Sequence, residues 1–357
     1  MKKKIRFALI GCGRISYKHI EAISEIYKDA ELVALCDVII KRAKDKSKEY
    51  NEYLAKKNVK LQSDQKPRIY TDIDKMLEDE TLDVLSICTP SGLHPEHGIK
   101  AAKSGIHVIS EKPMATNLNL ANKLIKTCDE APVRLFVVKQ NRLNPTMKLL
   151  KRAVEKRRFG KIYMILVNVL WTRPQSYYDK ASWRGTWKFD GGAFMNQASH
   201  YIDAMEWLGG PVESVMATTA TMSRNIEAED TGSAVFNFKS GAIGNINVTM
   251  LTYPKNFEGS ITIIGEKGTG KIGGVAINRV ERWEFFKAYR KDRYVEQSSY
   301  EPDNIYGSGH IEYYKNVIEV LKRGAKPNTD GREGRKSLEL ALAIYKSSRE
   351  KRAIRLG

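Results

Sequence analysis

The sequence predicts an α/β protein in two parts: a doubly wound parallel sheet at the N-terminus, then an α+β domain on an open, mainly antiparallel sheet. Three observations predict this. The chain has 357 residues, too many for one ordinary domain and enough for two. Its first third alternates short apolar runs with helical patterns, the rhythm of βαβ units. From residue 132 onward that rhythm gives way to successive β-rich runs joined by glycine turns, so the expected domains are 1–131 and 132–357, with the terminal helices able to pack back on the first.

Bulk properties narrow the class. A hydrophobic fraction of 42% supports packed cores rather than a disordered chain. No run approaches the roughly eighteen consecutive apolar residues of a membrane span. The start, MKKKIRFALIGCGR, reads as a strand entering a loop rather than a signal peptide, so a cytoplasmic protein with no membrane partner is expected. Cys12, Cys36, Cys88 and Cys128 stand at no metal-like spacing, and no metal site is expected. The formal charge of +18 is spread along the chain among Asp and Glu, and no nucleic-acid motif accompanies it. A basic field equally suits a small polyanionic ligand.

The first element is KIRFALIGCGRIS, an apolar strand running into Gly11, Cys12, Gly13, Arg14, Ile15 and Ser16. A helical stretch, YKHIEAISEIY, and a second apolar run, ELVALCD, follow and end in Asp37. Strand, Gly-x-Gly-x-x-Ser turn, helix, strand and terminal acid form the dinucleotide-binding pattern. The glycines let backbone amides approach a pyrophosphate at the helix start, and the acid accepts from ribose hydroxyls. A carboxylate at Asp37 repels a 2′-phosphate and favours NAD over NADP, a preference that the nearby Lys41 and Arg42 soften.

Residues 44–68 are polar and read as a lengthened helix and loop, a surface insertion. Two further strand patterns, LDVLSICTP and HVISEKP, bring Thr89, Pro90 and Ser91, and then Glu111, Lys112 and Pro113, to strand ends. Ligands of such sheets bind at the carboxyl ends of strands, so both groups point at the cofactor. In the second part, VRLFVV and KIYMILVNVLW are strands around the helix PTMKLLKRAVEKRR. Five more β-rich runs between residues 212 and 286 read as an antiparallel meander, and two helices close the chain. An open sheet of this kind pairs readily with another subunit, so a homo-oligomer is expected.

The stretch FDGGAFMNQASHYID places Asn196 and His200 one turn apart on one helical face, either satisfying each other in a core or facing a ligand. Just before it, WTRPQSYYDKASWRGTW interleaves Arg173 and Arg184 with Trp171, Tyr177, Tyr178, Trp183 and Trp187. That composition suits phosphate clamping and ring stacking, and equally suits an interface packed with aromatics. Tyr306 and His310 in NIYGSGHIEYY fit a ligand contact or a glycine hinge with a helix cap.

Taken in order, GCGRIS, TPSGLHPEH, EKP, NRLNP, the double-glycine helix and DGREGRKSLELALAIYKSS resemble the glucose–fructose oxidoreductase / inositol dehydrogenase / MocA (Gfo/Idh/MocA) family across essentially the whole chain. The resemblance implies an N-terminal Rossmann domain that binds NAD, with contacts from the Gly-rich turn, Asp37, Thr89–Ser91, His94, Glu111, Lys112, Gln140 and Asn141. It implies that Lys112 and His200 flank the reacting carbinol. Many members hold an ionisable Asp where this chain has Asn196, which can orient a hydroxyl and cannot take its proton.

A finer resemblance is to the family's UDP-N-acetylglucosaminuronate 3-dehydrogenase branch, through residues 168–208. It implies oxidation of the 3-hydroxyl of a UDP-linked 2-acetamido uronic acid, on the way to surface-polysaccharide sugars, with a tetramer favoured. Arg173, Tyr177, Trp183, Arg184, Asn196, Gln197, His200 and Tyr306 are then the expected substrate contacts. Some such enzymes recycle NADH with 2-oxoglutarate. The alternatives are another sugar or inositol dehydrogenase of the family, or a non-catalytic NAD-dependent sensor, which has no reason to keep both Lys112 and His200.

Overall fold

The computed structural model describes residues 3–301 and 309–357. It divides into two compact units, Met1–Val138 with His310–Arg335, and Lys139–Gly309 with Lys336–Gly357.

The first unit is built on β1 (Ile5–Ile10), α1 (Ser16–Glu25), β2 (Ala30–Cys36), α2 (Ile40–Ala55), β3 (Arg68–Tyr70), α3 (Ile73–Asp79), β4 (Val84–Ile87), α4 (His94–Lys103), β5 (His107–Ser110), α5 (Leu118–Glu130) and β6 (Leu135–Val137). The strands form one parallel sheet in the order β3-β2-β1-β4-β5-β6. The apolar runs of the sequence become its fully buried centre, with Phe7, Leu9, Leu85, Ile87, Val108 and Ile109 inaccessible to solvent. Winding reverses between β1 and β4, so their carboxyl ends open the crevice where such sheets hold a ligand.

Two expectations change here. β6 pairs in parallel with β5, so this unit continues to Val138 rather than stopping at 131. Residues 44–55 are no mere insertion: they belong to α2, whose Ala43, Tyr50 and Leu54 are buried, and the Tyr50 hydroxyl accepts from the Leu32 amide at 3.2 Å. Apolar positions seven and four residues apart in a Lys/Glu-rich stretch were enough to seat this crossover helix.

The second unit contains α6 (Pro145–Glu155), β7 (Ile162–Leu170), α7 (Gln175–Asp179), α8 (Ser199–Gly209), β8 (Val212–Ala220), β9 (Thr231–Phe238), β10 (Ile243–Thr249), β11 (Glu258–Gly265), β12 (Gly268–Gly273) and β13 (Arg279–Phe285). The chain closes with α9 (Gly309–Arg323), nearly all of it in the first unit, then α10 (Gly331–Glu350) and β14 (Ile354–Arg355). The sheet order is β13-β12-β11-β7-β10-β9-β8-β14. It is therefore not a plain meander, because β7 inserts between β10 and β11, pairing parallel to β10 and antiparallel to β11. One face is packed, with Ile165, Val167, Phe236, Ile246 and Ile261 fully buried. The other presents Met216, Val235 and Ile243, each more than two-fifths exposed.

Candidate active site

The Gly-rich turn lies between β1 and α1 at the crevice. Gly11 has φ +89°, and a Cβ there would stand 2.5 Å from the Thr89 amide nitrogen and 2.6 Å from the Cys88 carbonyl carbon, so only glycine fits. Around Gly13 a Cβ would meet nothing within 4 Å, leaving an open approach. The amides of Gly13, Arg14 and Ile15 have no acceptor among the described residues, while that of Cys12 donates to Asp37 Oδ2 at 2.8 Å. The Cys12 amide is thus committed to organising Asp37, whose Oδ1 takes the Ile39 amide at 2.8 Å. Each carboxylate oxygen keeps a lone pair for a ribose hydroxyl. Unassigned amides over a helix start beside a fixed acid fit NAD.

Sequence reasoning missed Val38, Ile39 and Ile40, which stand 85%, 45% and 49% exposed directly after Asp37. Three exposed apolar side chains thus follow Asp37 directly past the end of β2. The signal was present in the sequence, since an apolar run past a strand's terminal acid has no core to enter.

At the ends of β4 and β5, His94 acts as a staple. Its Nδ1 lies 2.8 Å from the Pro113 carbonyl and its Nε2 2.7 Å from the Thr89 carbonyl, so it joins the two strand-end loops. Burial lowers its pKa, so the neutral ring donates its single N–H to one of these carbonyls and sets its other nitrogen against the second. Glu111 likewise turns inward. It is 5% exposed, and its carboxylate lies against His19 and His310. Burial raises its pKa, but the hydrogen bonds and charges of the two histidines outweigh that and hold it well below the usual carboxylate range. Its other oxygen, Oε2, accepts the Lys112 amide at 3.1 Å. Ser91 is buried at the start of the short 3-10 turn, Ser91–Leu93, that leads into α4.

In the second unit the double-glycine stretch departs from a plain helix. Gly191 and Gly192 have φ +84° and +85°, and Ala193–Gln197 then form one π-helical turn before α8 begins at Ser199. Asn196 lies in the π turn and His200 in the first turn of α8, so the expected single helical face is broken at Ala198. Such π turns occur often at functional sites. The turn's first amides are capped from outside: Phe194 N–H donates to Glu229 Oε1 at 2.8 Å and Met195 N–H to the Tyr345 hydroxyl at 3.0 Å. Burial pushes the Glu229 carboxyl up to about 8 against these hydrogen bonds, so it is protonated at neutral pH. Asn196 Nδ2 donates to Asp190 Oδ1, and Asp190 Oδ2 takes the Gly185 amide at 2.7 Å.

Below His200 on α8, Asp203 is buried in a fork with Arg142, at 2.7 and 2.8 Å, with Lys139 Nζ at 3.7 Å. Burial raises its pKa, but Lys139 and Arg142 prevail and hold it low, with His200 adding a smaller pull in the same direction. Of the expected substrate residues, Arg173, Arg184 and Gln197 gather around the Tyr177 ring, and Trp183 joins them through Arg184. Arg184 and Arg173 lie 4.1 and 5.4 Å from the Tyr177 ring centroid, Arg184 is also 5.5 Å from that of Trp183, and Gln197 Nε2 donates to the Tyr177 hydroxyl at 3.4 Å. Gln140 and Asn141 are buried near the start of this unit, and Gln140 Oε1 has no hydrogen-bond partner among the described residues. Tyr306 lies outside the described residues.

The NAD-binding Rossmann-fold profile of the GFO_IDH_MocA oxidoreductase family matches residues 5–139, and the same family's C-terminal alpha/beta-domain profile matches residues 151–356. The chain is 29% identical to a myo-inositol 2-dehydrogenase of Thermotoga maritima, over 99% of this chain and 98% of that protein. Among solved structures, the WlbA dehydrogenase from Bordetella pertussis, in complex with NADH and UDP-GlcNAcA, is similar at a TM-score of 0.91 and 52% identity, covering 100% of this chain and 99% of that one. The WlbA dehydrogenase from Chromobacterium violaceum, with the same two ligands, is similar at a TM-score of 0.90 and 49% identity, over 100% and 97%.

Proposed function

The chain belongs to the Gfo/Idh/MocA oxidoreductase family as an NAD-dependent sugar oxidoreductase, and from that premise we propose that it oxidises the 3-hydroxyl of UDP-linked 2-acetamido-2-deoxyglucuronic acid, UDP-GlcNAcA. The observation that carries the substrate is the 52% identity, along the full chain, to a dehydrogenase holding that sugar nucleotide. The Arg173, Arg184 and Tyr177 cluster supports it, because a diphosphate and a uronate carboxylate ask for guanidinium groups beside a ring that can stack.

Bound NAD⁺ supplies the acceptor for the hydrogen that leaves C3. The Gly13–Ile15 amides hold its pyrophosphate and Asp37 its ribose. His200 takes the proton of the C3 hydroxyl, the role an imidazole suits near neutral pH. Lys112 stabilises the alkoxide as it develops. Asn196, an amide tethered to Asp190, orients a hydroxyl and leaves the proton to His200. The same reading places the enzyme in the cytoplasm, in surface-polysaccharide sugar synthesis, as a homo-oligomer with a tetramer favoured; assays with and without 2-oxoglutarate decide whether that acid reoxidises its cofactor.

The myo-inositol 2-dehydrogenase relative favours a second reading, a free polyol or sugar as substrate. Calorimetric titration of the NADH-loaded protein separates the two. UDP-GlcNAcA should bind and be displaced by UDP, while myo-inositol should not. Binding of myo-inositol alone would overturn the proposal.

A further inference from the structure

Behind Lys112 lies a chain of buried polar groups that no step of the proposed reaction uses. Glu111 Oε1 accepts from His19 Nε2 at 2.9 Å, with His310 Nε2 3.6 Å from the same oxygen, and Glu111 Oε2 accepts the Lys112 amide at 3.1 Å. On its other edge His19 Nδ1 meets the Tyr314 hydroxyl at 2.7 Å, and that hydroxyl meets Ser86 Oγ at 2.7 Å. His19, Ser86 and Tyr314 are wholly buried, and His310 nearly so. His19 comes from α1, Ser86 from β4, Glu111 from the end of β5, and His310 and Tyr314 from α9, all in the first unit.

Packing alone does not account for this arrangement. An apolar group of the same shape commonly serves stability as well as a buried ion pair or better, so a buried carboxylate among imidazoles points to a need for direction. The carboxylate is oriented at both oxygens. One faces an imidazole on the helix that follows the Gly-rich turn, and the other fixes the backbone of Lys112. The ionised carboxylate accepts at Nε2–H of His19, which leaves Nδ1 to face the Tyr314 hydroxyl.

We infer that His19 and Glu111, backed by His310 and Tyr314, are positioning residues: a buried brace that ties the strand end bearing Lys112 to the helix receiving the cofactor's pyrophosphate. This rests on the reading that Lys112 acts at the reacting carbinol, and it extends that reading by coupling Lys112 to cofactor binding through one imidazole. The donor atoms of His19, Glu111 and His310 lie within 4.8 Å of one another, which could also hold a divalent cation. The 2.9 Å His19–Glu111 separation and the amide on the second oxygen are those of a charge-assisted hydrogen-bond network and favour the brace.

The test compares Glu111→Gln, His19→Phe, His19→Gln and Lys112→Ala with wild type, using UDP-GlcNAcA turnover, NADH binding by fluorescence, and thermal melting. Glu111→Gln should lower kcat roughly 10- to 100-fold, the scale of a small misplacement, while KM for UDP-GlcNAcA stays within about threefold. His19→Phe should match that loss and also weaken NADH binding. His19→Gln, which keeps a donor towards Glu111, should recover most of both. Full turnover in folded Glu111→Gln, with Lys112→Ala inactive, would sink the brace alone. Full turnover in Lys112→Ala would remove its premise as well. Near-stoichiometric divalent metal in the wild type, lost in His310→Gln, would replace the brace with a metal centre.

Discussion

At the scale of single residues, chemistry concentrates on side chains whose neighbours leave them one job. His200→Ala should lower kcat by about two to four orders of magnitude, the usual worth of a general base, with NADH affinity kept. Near-normal turnover would end its assignment. Glu229 makes a separate prediction. Its folded pKa is raised from 4.5 to about 8, so its stabilising contribution is fully present below the ordinary carboxylate value and is lost as pH rises through about 8. Glu229→Gln keeps the shape without the titration, so its Tm should fall less than that of wild type between about pH 6 and pH 9. Parallel curves would contradict the raised pKa. Lys112, His200 and Asp37 stand out in the sequence as candidates because each sits in a local motif. The inward turn of Glu111 is not legible there, because its partner His19 is 92 positions away, and no local pattern reports which imidazole a carboxylate will face. The same holds for His310 and Tyr314.

Among the elements, the double-glycine turn is the most demanding piece of backbone. A Cβ on Gly192 would lie 1.9 Å from Glu229 Oε2, and φ there is +85°. Gly192→Ala should therefore destabilise the protein by roughly 1–3 kcal/mol or more in urea denaturation, and it should lower activity through Asn196 and His200 downstream. Unchanged stability would mean that the turn relaxes easily. Apolar periodicity identified a helix here but not its π turn, because the departure is set by Glu229 and Tyr345, 35 and 150 residues away, capping its first amides. Periodicity likewise found β6 as a strand and assigned it to the wrong sheet. Its apolar run is short, and only its parallel pairing with β5 decides its membership. The β9–β10 and β11–β12 hairpins follow from their glycine turns, while the insertion of β7 beside β10 depends on long-range pairing that turns do not encode.

For the molecule as a whole, two features reach beyond one site. The half-exposed sheet face with Met216, Val235 and Ile243 suits a partner of the same kind, so light scattering should give a mass above the 40.5 kDa chain, with a tetramer expected. A monomer at working concentration would contradict that. The basic field, +18 in formal charge, fits an anionic sugar nucleotide better than a neutral polyol. The central claim is oxidation of a UDP-linked uronic sugar at the expense of NAD⁺. The most direct test follows NADH formation with UDP-GlcNAcA, UDP-GlcNAc, free glucuronic acid and myo-inositol, each with and without 2-oxoglutarate. Turnover confined to UDP-GlcNAcA is the predicted result, and loss of NADH accumulation on adding 2-oxoglutarate would assign cofactor recycling to the same enzyme. Turnover of myo-inositol with none of UDP-GlcNAcA would contradict it.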